Sequence, residues 1–293
     1  MKRLPGIATV LSVVLGALAV AQAADDKITV VAAENFYGDV AQQIGGARIA
    51  VSSIMSNPDQ DPHLFEVSPS IARQIAGARI VIYNGAGYDP WMTKLLAASP
   101  RPDRVVIVAS DLTHRKPGDN PHLWYDPATM PAVATALAAA LSKTDPGHAD
   151  DYAARLKTFV ASLSPIDEKI AALRAKFAGA AVTATEPVFG YMADALGFKG
   201  RNERLQLAIM NDTEPSARDI AAFERDLKTR KVRLVFYNKQ ASNKLVQHLV
   251  EVARASNIPV VGVTETCPGD MTFQAWMQSE LDATERALAS PSS

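Results

Sequence analysis

The sequence has a single cysteine, few aromatic residues and no excess of basic residues. Each of these scarcities argues against one kind of bond, partner or binding site. Cys267 is the single cysteine, so an internal disulfide is excluded and stability must come from packing. The 30 Lys and Arg are balanced by 31 Asp and Glu, which excludes nucleic acid as an expected partner. Aromatic residues make up only 6% of the chain, which argues against a wide aromatic-lined cleft for an organic solute.

Apolar residues, by contrast, are plentiful enough for a folded protein of two domains, at 48% of 293 residues. The longest apolar run, 7–20, follows basic residues at 2–3 and precedes a small-x-small pattern at 21–23. It falls short of the ~20 residues that span a bilayer. Residues 1–23 are therefore predicted to be a cleavable signal peptide, and no cysteine lies near the cleavage point to accept lipid. We expect a mature protein in the periplasm that is not embedded in the membrane.

Short, almost wholly apolar β-branched runs alternate with helical patterns along the rest of the chain. Such runs are typical of parallel sheets covered on both faces by helices. The expected fold is α/β, with two lobes that each contain a mostly parallel sheet flanked by helices. The predicted strands are 27–32, 48–55, 79–83 and 104–109 in the first half and 181–185, 204–209, 233–237 and 259–263 in the second.

Between the halves, apolar residues recur at spacings of three and four from His148 to Phe177, which predicts one long connecting helix, bent or split at Pro165. The expected domains are an N-terminal lobe at 24–147, the connecting helix at 148–178 and a C-terminal lobe at 179–293.

Potential metal ligands follow four of the predicted strands. Ligands of open parallel sheets bind beyond the carboxyl ends of the strands, so these positions are where a site is expected. His63 follows strand 48–55 and His122 follows strand 104–109, each directly after a proline, while Glu186 and Glu265 come just after two strands of the second half. Two imidazoles and two carboxylates would give zinc or manganese four ligands and balance its charge.

The segments around these residues resemble a known family. Asp61-Pro62-His63-x-x-Glu66 and Asn120-Pro121-His122-x-Trp124 are similar to the two signature loops of the zinc- and manganese-binding components of ABC importers, the cluster A-I substrate-binding proteins. The resemblance continues through Glu186-x-x-Phe189-x-Tyr191, Tyr237-Asn238 and Glu265 with Phe273-x-x-Trp276, and so covers nearly the whole mature chain.

The resemblance implies a binding protein rather than an enzyme, with a metal held between two lobes by His63, His122, Glu186 and Glu265. It also implies a membrane permease and an ATPase as partners, and no P-loop pattern is present in this chain. A monomer is the expected state. The cargo that the resemblance implies is zinc or manganese.

The chain departs from the family at two of the four ligands. Glu186 stands where many zinc-specific members have histidine, and Glu265 stands where aspartate is usual. A carboxylate is a harder ligand than an imidazole, so this replacement makes manganese more plausible as the bound metal. Zinc nevertheless outcompetes manganese at most sites with nitrogen and oxygen ligands. The choice between the two metals stays open at this point.

The remaining histidines and the cysteine are expected to have other roles. His114 is predicted to be a solvated loop residue, and His148 and His248 to be ordinary helix residues. Cys267, two residues after Glu265, is close enough in sequence to line the site. The candidates for fixing the ligand imidazoles are Asn120, Trp124 and Asn238.

Two other functions are compatible with some of these features. A zinc hydrolase uses the same ligand types but keeps a coordination position open for water, and neither a His-Glu-x-x-His helix nor a nucleophile elbow is present. A binding protein for an organic solute needs a larger cleft.

Overall fold

The structure, a computed structural model, describes residues 27–57, 65–241, 243–269 and 271–289. Its strands are β1 Ile28–Glu34, β2 Ile49–Met55, β3 Ile80–Tyr83, β4 Val105–Val108, β5 Ala181–Ala184, β6 Lys199–Arg201, β7 Leu234–Asn238 and β8 Val260–Val263. Its α-helices are α1 Asn35–Gly45, α2 Pro69–Gly77, α3 Pro90–Ala98, α4 Ala109–Leu112, α5 Thr129–Thr144, α6 Ala149–Ser162, α7 Ser164–Phe177, α8 Gly190–Ala195, α9 Glu203–Met210, α10 Ala217–Lys228, α11 Lys244–Ala255 and α12 Phe273–Ala289. The predicted signal peptide and His63 lie outside the described residues.

The strands form two parallel sheets of four strands each, in the orders β2-β1-β3-β4 and β6-β5-β7-β8. Val30 pairs with Ile80 in the first sheet, and Val182 pairs with Leu234 in the second. The predicted α/β fold with two lobes is confirmed. Because all strands of a sheet run the same way, their carboxyl ends lie along one edge, where the polar side chains that follow the strands meet.

Helices cover both faces of each sheet, which explains why the strands are apolar without alternation. Alternate residues of β1 face different clusters: Val30 packs with the helices of the main core, whereas Val31 packs with Ile75 of α2 and Met92 of α3. The main core continues into the second lobe and includes Trp276 of α12. The two lobes therefore share buried apolar contacts.

One predicted strand is wrong. Residues 204–209 belong to α9, Glu203–Met210, whose residues Leu205 and Ile209 are buried one turn apart while Leu207 is 45% exposed. The alternation of Leu205, Leu207 and Ile209 gave a strand pattern, but Leu, Gln, Ala and Met favour a helix. The fourth strand is instead β6, a short Lys-Gly-Arg segment at the sheet edge that pairs with β5 and carries no apolar signal.

The predicted connecting helix is confirmed as α6 and α7, which follow each other with only Leu163 between them. Pro165 lies in the first turn of α7, where its missing N–H costs no helical hydrogen bond. The domain boundaries drawn at 147 and 178 stay a prediction.

The last helix, α12, contacts both α7 of the connecting segment and α1 of the first lobe. Lys169 of α7 reaches Asp282 at 2.6 Å and Glu285 at 2.7 Å. At its start, the main-chain N–H of Phe273 donates to Asp39 of α1 at 2.8 Å. Of the helices within the described ranges, none has the length and apolar content needed to cross a membrane.

Candidate metal site

Three of the four predicted ligands come together between the carboxyl edges of the two sheets. His122 precedes a 3-10 turn, Leu123–Tyr125, in the first lobe. Glu186 follows β5 and Glu265 follows β8 in the second lobe. His122 and Glu265 have no exposed surface and Glu186 is 3% exposed. The fourth residue, His63, lies outside the described residues.

The His122 ring faces the Glu265 carboxylate across the lobes. Its Nε2 lies 3.5 Å from Glu265 Oε2, and this buried nitrogen has no hydrogen-bond partner among the described residues. If both atoms bound one ion at about 2.1 Å, the angle between the two bonds at the ion would be roughly 113°. The separation is therefore compatible with two ligands of one tetrahedral ion.

Asn120 fixes the other side of the His122 ring. Its Oδ1 lies 2.6 Å from His122 Nδ1, so the ring donates from Nδ1 and presents Nε2 to Glu265. Its Nδ2 donates across the lobes to the carbonyl of Pro187 at 2.7 Å, next to Glu186. Tyr191 donates to the Asn120 carbonyl at 2.7 Å. Of the three residues expected to fix an imidazole, Asn120 contacts the ring nitrogen.

The other two candidates have different surroundings. Trp124 is buried with its ring centroid 5.3 Å from that of His122, at an interplanar angle of 80°, so it packs against the ring edge-to-face. Asn238 contacts carboxylates rather than an imidazole: its Nδ2 donates to Glu186 Oε2 at 3.1 Å and to Glu265 Oε1 at 2.5 Å.

The two carboxylates thus meet at the neutral amide of Asn238. Among the described residues, no group of three or more His, Cys, Asp and Glu side chains is arranged closely enough to hold a metal ion. Within that part of the chain, His122 and Glu265 form the closest approach of the two lobes' predicted ligands, and Asn238 links Glu265 to Glu186.

Two residues that the sequence reasoning missed hold Glu265 in place. Tyr88, after β3, donates its hydroxyl to Glu265 Oε2 at 2.9 Å. Burial, and then the charge of Glu265, raises the pKa of Tyr88 well above its usual range, so the hydroxyl keeps its proton. Gln240, after β7, accepts the Glu265 main-chain N–H at 2.5 Å. Both follow strand ends, where the same rule that found the four predicted ligands could have found them.

A second missed feature is a buried carboxyl pair at the end of β1. Glu34 has no exposed surface, and its carboxyl group lies against that of Asp89. Burial, and then the charge of Asp89, raises the pKa of Glu34 well above its usual range. Burial also raises the pKa of Asp89 to about 6, although the N–H groups of Asn84 and Gly85 donate to that carboxylate.

The same network positions the loop that carries His122. Asn84 donates through Nδ2 to the Pro121 carbonyl at 2.8 Å, and Tyr37 donates to Asn84 Oδ1 at 2.8 Å. Tyr125 donates to the carbonyl of Thr264 at 2.9 Å, which joins the residues after His122 to the residue before Glu265.

The remaining histidines lie away from this cluster, as expected. His114 is an exposed loop residue, His148 lies 2.8 Å from Asp145, and His248 of α11 lies 3.0 Å from Glu224. Cys267 is buried, and its thiol donates to the Met271 carbonyl at 3.2 Å. Burial, and then the charge of Asp39, raises the pKa of Cys267 to about 12, so the thiolate that a metal prefers is disfavoured.

A cavity of about 190 Å³ adjoins Glu186 on the side of the second lobe, where Phe189, Tyr191, Gln206 and Phe236 line it. Pockets for organic ligands usually have volumes of roughly 300–1,000 Å³. The cavity is thus small for an organic solute.

Comparison with known proteins agrees with this architecture. The manganese-binding lipoprotein MntA of Bacillus subtilis is 27% identical over 244 residues, which cover 80% of this chain and 78% of that protein. The iron ABC transporter substrate-binding lipoprotein MtsA of Streptococcus pyogenes serotype M1 is 25% identical over 91% of each chain. The periplasmic zinc binding protein TroA of Treponema pallidum, a solved structure, superposes with a TM-score of 0.77 at 21% identity and covers 90% of this chain and 100% of its own, which shows a shared fold.

The model of one family matches residues 30–287, which span both sheets, the connecting helices and all four predicted ligands. The chain therefore belongs to the family of zinc-uptake complex component A, periplasmic, a group of cluster A-I metal substrate-binding proteins.

Proposed function

We propose that this protein captures a divalent transition metal, zinc or manganese, in the periplasm and delivers it to an ABC importer. The ligands in this proposal are His63, His122, Glu186 and Glu265. The observation that carries it is the approach of His122 Nε2, buried and without a described hydrogen-bond partner, to Glu265 Oε2 at 3.5 Å across the two lobes. A buried imidazole nitrogen that faces a carboxylate is well suited to bind a cation.

The relatives support metal capture without fixing the metal. Their names specify manganese for MntA, iron for MtsA and zinc for TroA.

MntA and MtsA are named lipoproteins, whereas the single cysteine of this sequence, Cys267, is buried in the second lobe. We propose a periplasmic protein that acts after signal cleavage, as a monomer, with a membrane permease and its ATPase as partners.

The enclosed position of the cluster favours binding over catalysis. His122 and Glu265 have no exposed surface, and a catalytic zinc site must keep one coordination position open to water and substrate. The small cavity beside Glu186 likewise favours an ion over an organic solute. We propose that the protein is not an enzyme.

The first test is the metal content of protein purified from its own periplasm without added metal, measured by mass spectrometry. We expect a single zinc or manganese ion in each chain. Competition titrations against a chelator then compare His63→Ala and His122→Ala with His114→Ala and His148→Ala. The first pair should lose far more affinity, and equal losses in all four variants would refute the ligand assignment.

Delivery needs a separate measurement in cells. Uptake of zinc and manganese should fall when the gene is deleted, and His122→Ala should fail to restore it although His248→Ala does. Normal metal uptake by the deletion strain would contradict the proposed role with an importer.

A further inference from the structure

Asn238 occupies the point where the two predicted carboxylate ligands meet. It ends β7 and is 1% exposed. Its Nδ2 donates one hydrogen bond to Glu186 Oε2 and another to Glu265 Oε1. A primary amide has two N–H donors, so one nitrogen can serve both carboxylates. One oxygen of each carboxylate is thereby held by a neutral group.

The orientation of this amide is fixed by its surroundings. Asn238 Oδ1 accepts the main-chain N–H of Gln240 at 3.0 Å, so the oxygen points away from the carboxylates and the nitrogen points toward them. The main-chain N–H of Asn238 donates to Thr185 Oγ1 at 3.3 Å, next to Glu186. Gln240 in turn holds the main chain of Glu265. A flipped amide would lose the Gln240 bond and place an oxygen against two carboxylates.

We propose that Asn238 is a specificity-determining residue that biases the site toward zinc over manganese. The proposal rests on the proposed function of metal capture. Each hydrogen bond from Asn238 uses a lone pair of one carboxylate oxygen, and chelation of an ion by both oxygens would compete with that bond. The single hydrogen bond from Tyr88 to Glu265 Oε2 leaves that oxygen a second lone pair for the ion. Asn238 therefore favours one metal bond from each of Glu186 and Glu265 over chelation.

The two metals respond differently to that restriction. Zinc usually binds four ligands in a tetrahedron. The two imidazoles and two monodentate carboxylates of the proposed site would supply these four ligands. Manganese prefers six ligands, mainly oxygens, and in a buried site it would obtain the additional ones by chelation. The donor types of Glu186 and Glu265 favour manganese, whereas the Asn238 hydrogen bonds disfavour the geometry that manganese needs.

A neutral donor is also the kind of residue that preserves affinity for a divalent cation. A lysine or arginine at this position would neutralise the carboxylates, and an aspartate would add a third negative charge and another oxygen ligand. Asn238 holds the two carboxylates in place and leaves their charges for the ion. It is a positioning residue and makes no metal bond itself.

The experiment measures zinc and manganese affinities by chelator competition for the wild type, Asn238→Leu, Asn238→Asp and the exposed control Asn211→Ala. Leucine has a similar shape without the donors, and aspartate replaces the donor by an oxygen. Mutation of a residue that supports metal ligands typically changes metal affinity by about 10–100-fold. Because we expect the loss to fall mainly on zinc, both Asn238 variants should shift the ratio of zinc to manganese affinity toward manganese by about tenfold. Asn211→Ala should leave the ratio unchanged.

X-ray absorption spectra provide a readout that a purely structural role would not change. We expect four ligands around zinc in the wild type and a higher coordination number around manganese in a folded Asn238 variant than around manganese in the wild type. Equal losses of both affinities, with an unchanged ratio and coordination number, would overturn this inference and leave metal capture intact. If the wild type binds neither metal, the proposed function fails and the inference fails with it. Asn238→Ala, which removes the donors without adding an oxygen ligand, keeps the test decisive if Asn238→Leu does not fold.

Discussion

Asn120 connects two predicted ligands that lie in different lobes. Its Oδ1 lies 2.6 Å from His122 Nδ1, and its Nδ2 donates to the carbonyl of Pro187, directly after Glu186. A ring whose Nδ1 is held in this way presents Nε2 to Glu265. The side chain therefore couples the tautomer of the first-lobe ligand to the position of the second-lobe loop.

Asn120→Ala is expected to lower metal affinity by about 10–100-fold, because the His122 ring loses the acceptor that fixes its orientation and tautomer. Chelator competition measures the loss, with the exposed Asn211→Ala as the matched control. Asn120→Asp retains the acceptor and should lose less than the alanine variant. Equal affinity of Asn120→Ala and the wild type would contradict the positioning role.

Tyr125→Phe is expected to lower the free energy of unfolding of the metal-free protein by about 1–3 kcal/mol, because the carbonyl of Thr264 loses a buried donor. The hydrogen bond also joins the His122 segment to the Glu265 segment, so metal affinity should fall as well. Urea unfolding and chelator competition measure the two effects. A variant as stable as the wild type would show that another donor replaces the hydroxyl.

The sequence predicted the parts of the fold that depend on continuous apolar runs. Strands β1, β2, β3, β4, β5, β7 and β8 were predicted within a few residues because each is covered on both faces and therefore almost wholly apolar. The edge strand β6, Lys199–Arg201, has no such run, and α9 has an alternating pattern that a helix also tolerates. Edge position and local helix propensity decided these two elements.

The candidate site could be predicted where it depends on the carboxyl ends of strands, but its hydrogen bonds could not. His122, Glu186 and Glu265 converge as that rule implies. That Asn238 donates to carboxylates rather than to an imidazole depends on side-chain directions that spacing along the chain does not fix. The same holds for Tyr88, which reaches Glu265 from the opposite lobe over 177 positions of sequence.

Cys267→Ser is expected to leave zinc and manganese affinity within about twofold of the wild type, because the thiol faces the Met271 carbonyl and its raised pKa disfavours the metal-binding thiolate. Serine can donate the same hydrogen bond. In the native protein the thiol should also react slowly with a chromogenic disulfide reagent and rapidly after unfolding. Fast reaction in the native state, or a large loss of zinc affinity, would place the thiol at the site.

Glu34→Gln is expected to stabilise the metal-free protein, and by more at pH 8 than at pH 5. The folded-state pKa of Glu34 is raised, so the folded protein retains a proton that the unfolded chain releases above its ordinary pKa of 4.5. The contribution of Glu34 to stability is therefore complete below that value and falls as pH rises toward the folded pKa, by up to about 1.4 kcal/mol for each pH unit.

Glutamine does not titrate, so the stability difference between the Glu34→Gln variant and the wild type should widen with pH. Melting temperatures across this pH range measure it, with Glu251→Gln as an exposed control on α11. A difference that stays constant from pH 5 to pH 8 would mean that Glu34 is ionised in the folded protein, and a cation or a donor would then have to balance its charge.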